Sequence, residues 1–238
     1  MNKLDGKVAY ITGGSKGIGY GIAKILLENG MKVAITSRNI DAAKKAAASL
    51  DKDGKNILPL ESNVSSLDSE TKAIAEVIKH FGQLDVLIAN AGVGHFASIE
   101  DLSESEWKEM VDTNLTGVFN SVKASVTALK QTKGYIISIA SLAGINFFTN
   151  GSGYNATKFG VVGFTQAIML DLRQFGVKVT TIMPGSVATH FNDHIPSDAD
   201  AWKIQPEDIG QIVIDLLNMH PRTLPSKVEV RPTIPKSS

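Results

Sequence analysis

Short runs rich in β-branched residues alternate along this chain with longer stretches in which apolar residues return every three or four positions. The runs Val8 to Thr12, Lys32 to Thr36, Asn56 to Leu60, Val86 to Asn90, Tyr135 to Ala140, Lys178 to Met183 and Lys227 to Arg231 read as seven strands. Between them, Ile18, Ile22, Ile25 and Leu26 mark one apolar helix face, and Ile74, Val77, Ile78 and Phe81 mark another. Such alternation predicts βαβ units, and so an α/β fold on a parallel sheet. Ser103-x-x-Glu106 predicts a capping box opening a helix through Trp107, Met110 and Val111, and Pro206 suits the first turn of a late helix. No linker or repeat interrupts the pattern, so residues 1–238 are expected to form a single domain, with a fraying tail at 232–238.

Composition narrows the function classes. A chain of 238 residues can bury a substantial core, and its 24 Lys+Arg against 24 Asp+Glu give no global attraction to nucleic acid or an anionic membrane. With no cysteine, disulfides, thiol nucleophiles and cysteine-based metal sites are excluded. Met1 to Gly6 holds no apolar leader core, and runs such as Ile136 to Ala140 are too short to span a bilayer. The expectation is a soluble cytoplasmic protein.

Two segments carry candidate chemistry. The first is Thr12-Gly13-Gly14-Ser15-Lys16-Gly17-Ile18-Gly19, between the first strand and the first helix. Its glycines permit a tight turn and close backbone approach, and the helix behind it aims its N-terminal amides at an anion, as a dinucleotide requires. An ordinary tight connection would read the same in isolation; here strand, turn and helix all stand where a dinucleotide needs them. At the end of the second strand, where an acid would hydrogen-bond a ribose 2′-hydroxyl, stand Ser37 and Arg38. With Lys16 they offer two cations for a 2′-phosphate, which favours NADP(H) over NAD(H), the alternative being two solvated surface charges.

The second is Tyr154-Asn155-Ala156-Thr157-Lys158, with Ser141 thirteen positions before the tyrosine. One helical turn separates Tyr154 from Lys158, so an ammonium can sit beside a phenol whose ordinary pKa is about 10. At about 4 Å and an effective dielectric of 20 the pair would interact by roughly 4 kcal/mol, an upper bound near three pKa units before desolvation is subtracted. A phenol tuned in this way is a proton donor to a carbonyl.

With these residues the chain resembles the short-chain dehydrogenase/reductase family over essentially its whole length, and most of all its 3-oxoacyl-[acyl-carrier-protein] reductases. The matching positions are Thr12 to Gly19, Asn63-Val64, Asn90-Ala91-Gly92, Asn114, Ser141, Tyr154-x-x-x-Lys158 and Pro184-Gly185, in order. The resemblance implies a Rossmann-type, doubly wound, seven-stranded parallel sheet with helices on both faces, and a cofactor across the strand C-termini. It implies NADP(H)-dependent carbonyl reduction by a catalytic set of Asn114, Ser141, Tyr154 and Lys158. Tyr154 would protonate the developing alkoxide and Lys158 would lower its pKa and hold the nicotinamide ribose. Ser141 would hydrogen-bond the substrate oxygen, and Asn114 would anchor a water leading to solvent. Gly13, Ser15, Gly17, Ile18 and Gly19 would contact the diphosphate and its ribose. Asn63 and Val64 would flank the adenine, and Asn90, Ala91 and Gly92 would line the ribose. Pro184, Gly185, Val187 and Thr189 would approach the nicotinamide.

Substrate identity is less legible. Segments Val93 to Ala97, Leu142 to Ser152 and His190 to Lys203 carry Phe96, Phe147, Phe148, Phe191 and Trp202, which either wall an apolar cleft or pack on one another. A short polar lid at about 190–205 predicts an open site. His190-x-x-x-His194 has no supporting third ligand, so a solvated histidine pair is favoured and no metal is expected. Partners reduce to a small-molecule or acyl-thioester carbonyl and a second copy of the chain as homodimer or homotetramer; the end Arg231-Pro232-Thr233-Ile234-Pro235 lacks the glycine-rich segment many relatives use between subunits. Alcohol or sugar oxidation and non-catalytic NADP(H) sensing are the alternative functions.

Overall fold

The computed structural model describes residues 3–234, apart from the side chain of Asp193. Seven parallel strands, β1 (Val8–Ile11), β2 (Lys32–Ser37), β3 (Ile57–Glu61), β4 (Val86–Ala89), β5 (Tyr135–Ile139), β6 (Lys178–Pro184) and β7 (Lys227–Val230), form one sheet in the order β3-β2-β1-β4-β5-β6-β7. The helices between them are α1 (Gly17–Glu28), α2 (Ile40–Leu50), α3 (Leu67–Phe81), α4 (Glu104–Met110), α5 (Gly117–Thr132), α6 (Ser152–Leu172) and α7 (Pro206–Asn218).

Strand alternation builds two cores. From β1, Ala9 and Ile11 face the layer where Ile22 and Leu26 of α1, Ala46 of α2 and Val213 of α7 are buried. Val8 and Tyr10 face the other layer, with Ile74 and Val77 of α3, Val118 and Val122 of α5 and Val161 of α6. Because both faces are covered, the strands read as near-continuous apolar runs, as a parallel sheet requires. The capping box predicted at Ser103 is present, with the Ser103 hydroxyl accepting from Glu106 N–H and the Glu106 carboxylate accepting from Ser103 N–H. Pro206 opens α7.

One departure concerns the helix predicted through Val111. After α4 the chain makes a π-helical turn, Val111–Thr116, before α5 begins. The wider turn rotates Asn114 inward, and such turns recur at functional sites. Of the tail predicted to fray, residues 235–238 lie outside the described residues; Val230 at the end of β7 still pairs, accepting a hydrogen bond from Gly185 N–H. The strand order reverses between β1 and β4, which opens a crevice at their C-terminal ends.

Candidate active site

The glycine turn lies at this crevice. Gly13 and Gly17 have φ of +66° and +59°, in the left-handed region that side chains avoid. A Cβ on Gly19 would stand 2.5 Å from the Gly13 carbonyl oxygen and 2.6 Å from Asn90 Nδ2, so only glycine lets α1 start here. Asn90 braces the turn: its Nδ2 donates to the Thr12 and Gly13 carbonyls at 2.9 and 3.1 Å. The Thr12 hydroxyl accepts from Asn90 and Ala91 N–H, both at 3.0 Å, and so fastens the end of β4 to the end of β1. Ser15 and Ile18 lie half-buried in the same turn, and Thr189 is the nearest neighbour of the Cβ position on Gly17. The N-terminal amides of α1, behind a turn with no Cβ at Gly13, Gly14, Gly17 and Gly19, suit a diphosphate.

Farther along the crevice, Ser37 ends β2 and Arg38 and Lys16 are exposed. Asn63 is exposed after β3, whereas Val64 is buried and its carbonyl accepts from Asn120 Nδ2 at 2.8 Å. Pro184 ends β6, and Gly185, Val187 and Thr189 follow it.

Between them sit the chemical residues. Tyr154 and Lys158, on α6, are 9% and 5% exposed. Ser141 caps a short 3-10 turn, Leu142–Gly144, after β5, its Oγ accepting from Ala143 N–H at 3.1 Å and donating to the Pro184 carbonyl at 3.5 Å, and it stands beside the Tyr154 phenol. That turn is sewn to α6 by Asn155, whose Nδ2 donates to the Ala143 and Asn146 carbonyls, each at 2.7 Å. Gly144 permits the contact, since a Cβ there would come 2.8 Å from the Lys158 carbonyl oxygen. Lys158 Nζ donates to the Ile139 carbonyl at 3.2 Å. Asn114 is buried, its Oδ1 accepting from Val93 N–H at 2.8 Å and its Nδ2 donating to the Val93 carbonyl at 2.9 Å and to Thr157 Oγ1 at 3.1 Å. Gly92 adjoins both groups: a Cβ on it would lie 3.3 Å from Asn114 Oδ1 and 3.7 Å from Lys158 Nζ. All four candidate catalytic residues therefore meet in one place.

The electrostatics differ from the sequence expectation. Lys158 Nζ stands 5.5 Å from the centroid of the Tyr154 ring. Burial pushes the phenol up to about 12, offset in part by the hydrogen bond from Ser141, and burial alone brings Lys158 down to about 8. Desolvation outweighs the attraction because both groups leave water together. The phenol is therefore neutral at neutral pH.

The 190–205 segment brings an aromatic ring to the phenol. Phe191, within the 190–205 segment, lies 5.7 Å from the Tyr154 ring, and Phe96 lies 5.4 Å away edge-on. Phe148 extends the cluster, 5.7 Å from Phe96. Phe147 instead stacks on Phe159 at 5.1 Å, and Trp202 pairs with Lys203, whose Nζ is 5.8 Å from the ring, so neither joins the wall. Asp200 pins the lid. It pairs with Lys203 Nζ and His194 Nε2, each at 2.6 Å, and accepts from Ser197 N–H at 3.1 Å. Hydrogen bonds from Lys203 and His194 hold its carboxyl well below the usual carboxylate range. One member of the histidine pair is therefore an anchor of the lid.

The comparison with known proteins follows this geometry. The short chain dehydrogenase family model matches residues 7–200. The chain belongs to this family of oxidoreductases. An uncharacterized oxidoreductase of Staphylococcus aureus is 34% identical over 233 residues, covering 98% of this chain and all of the relative. A 3-oxoacyl-[acyl-carrier-protein] reductase of Synechocystis is 34% identical over 218 residues, 88% of each chain. Among solved structures, an alcohol dehydrogenase from the archaeon Thermococcus sibiricus, complexed with 5-hydroxy-NADP, superposes with a TM-score of 0.91 at 30% identity, covering 98% of this chain and 99% of that one. The short-chain dehydrogenase residues missed from sequence are Thr12, which fastens two strand ends, and Asn155, which docks the serine turn. Thr12 opens the glycine motif and Asn155 sits inside the tyrosine motif, yet nothing in the spacing separates bracing from contact.

Proposed function

We propose that the protein is an NADP(H)-dependent reductase that converts a carbonyl to an alcohol, with Tyr154 as proton donor. The observation that carries this reading is the neutral, buried Tyr154 phenol with Ser141 beside it and Lys158 Nζ 5.5 Å from its ring centroid. When bound, the dihydronicotinamide supplies hydride to the carbonyl carbon. Gly13, Ser15, Gly17, Ile18 and Gly19 would hold the diphosphate and its ribose, and Lys16 and Arg38 with Ser37 the 2′-phosphate. Asn63 and Val64 would flank the adenine, Asn90, Ala91 and Gly92 would line the ribose, and Pro184, Gly185, Val187 and Thr189 would approach the nicotinamide. The basic pair and the NADP-type ligand of the archaeal relative support NADP(H) over NAD(H).

Ser141 and the phenol would donate to the substrate oxygen, so the negative charge that grows there meets two aligned donors. Tyr154 gives up its proton as the alkoxide forms, and Lys158, beside Asn114 and Gly92, stabilises the resulting phenolate and passes a proton inward. A protonated phenol is the form that reduction uses. Phe96, Phe148 and Phe191 favour a substrate with an apolar or aromatic flank, which includes 3-oxoacyl thioesters, ketones and aldehydes. A homodimer or homotetramer in the cytoplasm completes the reading.

The test is NADPH and NADH consumption with a panel of 3-oxoacyl thioesters, diketones and aromatic aldehydes. Tyr154→Phe is expected to lose about 100-fold to 10,000-fold in kcat while still binding NADPH. Turnover that survives in Tyr154→Phe would remove the tyrosine from its role, and a wild type inert to the whole panel would favour the sensing alternative.

A further inference from the structure

A single carboxylate joins the two ends of the crevice. Arg38 Nη1 lies 3.6 Å from Glu109 Oε1, and the other oxygen, Oε2, lies 2.9 Å from His95 Nε2. Glu106, one turn earlier on α4, faces the opposite ring nitrogen, with Oε1 3.8 Å from His95 Nδ1. His95 N–H also reaches Met110 Sδ at 3.4 Å, so His95 is held against α4 by backbone and ring alike. Its chain neighbour Phe96 is the ring that packs edge-on against Tyr154. Gly94, before it, is held to glycine because a Cβ there would stand 2.6 Å from Phe191 Cζ. Glu109 is therefore divided between the cation expected to receive a 2′-phosphate and the loop that walls the phenol.

We propose that Glu109 holds Arg38 as a stand-in for the 2′-phosphate, and that a 2′-phosphorylated adenosine displaces it, leaving Glu109 to His95 and tying the Phe96 loop to cofactor occupancy. This rests on the NADP(H) reading above. The Arg38–Glu109 pair is long, and its side chains are 68% and 41% exposed. Such a pair shifts an equilibrium by a factor of only about 1.4 to 5, so a phosphate that meets the guanidinium with two oxygens replaces it readily. An adenosine without that phosphate leaves the pair intact. The carboxylate also repels an arriving phosphate, so neutralising Glu109 removes both a competitor and a like charge.

The experiment measures calorimetric binding of adenosine 2′-monophosphate, adenosine 5′-monophosphate, NADPH and NADH to wild type, Glu109→Gln and Arg38→Asp. Hydrogen exchange of residues 93–97 is followed in parallel with and without NADPH. Glu109→Gln is expected to tighten the two 2′-phosphorylated ligands about threefold to tenfold and to leave the other two within about twofold. NADPH is expected to protect residues 93–97 in the wild type and to protect them less in Glu109→Gln, although it binds that variant more tightly. If the wild type prefers the 2′-phosphorylated ligands and Arg38→Asp abolishes that preference, but Glu109→Gln changes nothing, the stand-in role is overturned and the cofactor reading survives. Tighter binding with undiminished protection overturns the link to the loop. A wild type with no preference for the 2′-phosphate overturns both readings together.

Discussion

Lys158 shows what the site requires of single side chains. Its ammonium is buried against one carbonyl acceptor, Ile139, and burial brings its pKa from 10.5 down to about 8. Folding therefore works against the charged form below about pH 8, and that penalty disappears as pH rises past 10.5, where the unfolded chain also loses the proton. The shift corresponds to about 3 kcal/mol at neutral pH. Lys158→Met is expected to abolish turnover yet raise unfolding free energy at pH 7 by about 1–3 kcal/mol, with the gain shrinking toward pH 10.5. Urea melts of both proteins at the two pH values decide this; a variant less stable than wild type at pH 7 would mean the ammonium holds the fold together. The identity of this residue was legible from its spacing to Tyr154, because a helical turn is a local rule. The sign of the tyrosine's shift was not, since desolvation depends on everything packed around α6.

At the scale of elements, the seven strands follow the apolar runs, and their ends move by about one residue because hydrogen bonding, not hydrophobicity, sets where a strand stops. The sequence did not disclose the π-helical turn at Val111–Thr116, since one extra residue in a turn leaves the apolar spacing almost unchanged. It was equally silent on how the Ser141 turn meets α6. That junction depends on Asn155, buried with both hydrogen bonds of its Nδ2 spent on the carbonyls of Ala143 and Asn146. Asn155→Ala leaves two inward carbonyls without a donor and is expected to cost about 1–3 kcal/mol of stability. Ser141 would then lose its alignment with the phenol, so kcat is expected to fall more than tenfold while NADPH affinity stays within about twofold. Asn155→Asp cannot donate and should not rescue. Steady-state kinetics beside cofactor titration separates this from simple unfolding, and a loss confined to NADPH binding would move Asn155's role to the cofactor site.

Over the whole molecule the two helical layers are finished differently. On one side α1 and α7 pack together and their outer rim is polar, with Lys24 and Glu207 paired at 3.3 Å. On the other, α5 and α6 enclose a groove whose apolar lining is Phe119, Val122, Val126, Phe164, Ile168 and Leu172, with Lys123 and Asp171 at its rim and Phe119 46% exposed. Apolar residues of α6 between Val161 and Leu172 face both the core and solvent, Leu170 being 54% exposed, and such an outward apolar surface suits a partner. Because α6 also carries Tyr154 and Lys158, a second copy seated on this face would stiffen the catalytic helix from behind. The expected species is a dimer of about twice 25.4 kDa by light scattering, built on a self-complementary α5–α6 face. Phe119→Asp combined with Phe164→Asp would bury like charges across the two-fold axis and is expected to give a monomer that still binds NADPH, with turnover and melting temperature both reduced. Re-forming the dimer at high protein concentration should restore turnover in proportion. A wild type that stays monomeric at tens of micromolar, or a double variant that stays dimeric, would place the partner elsewhere and leave this apolar face to another role.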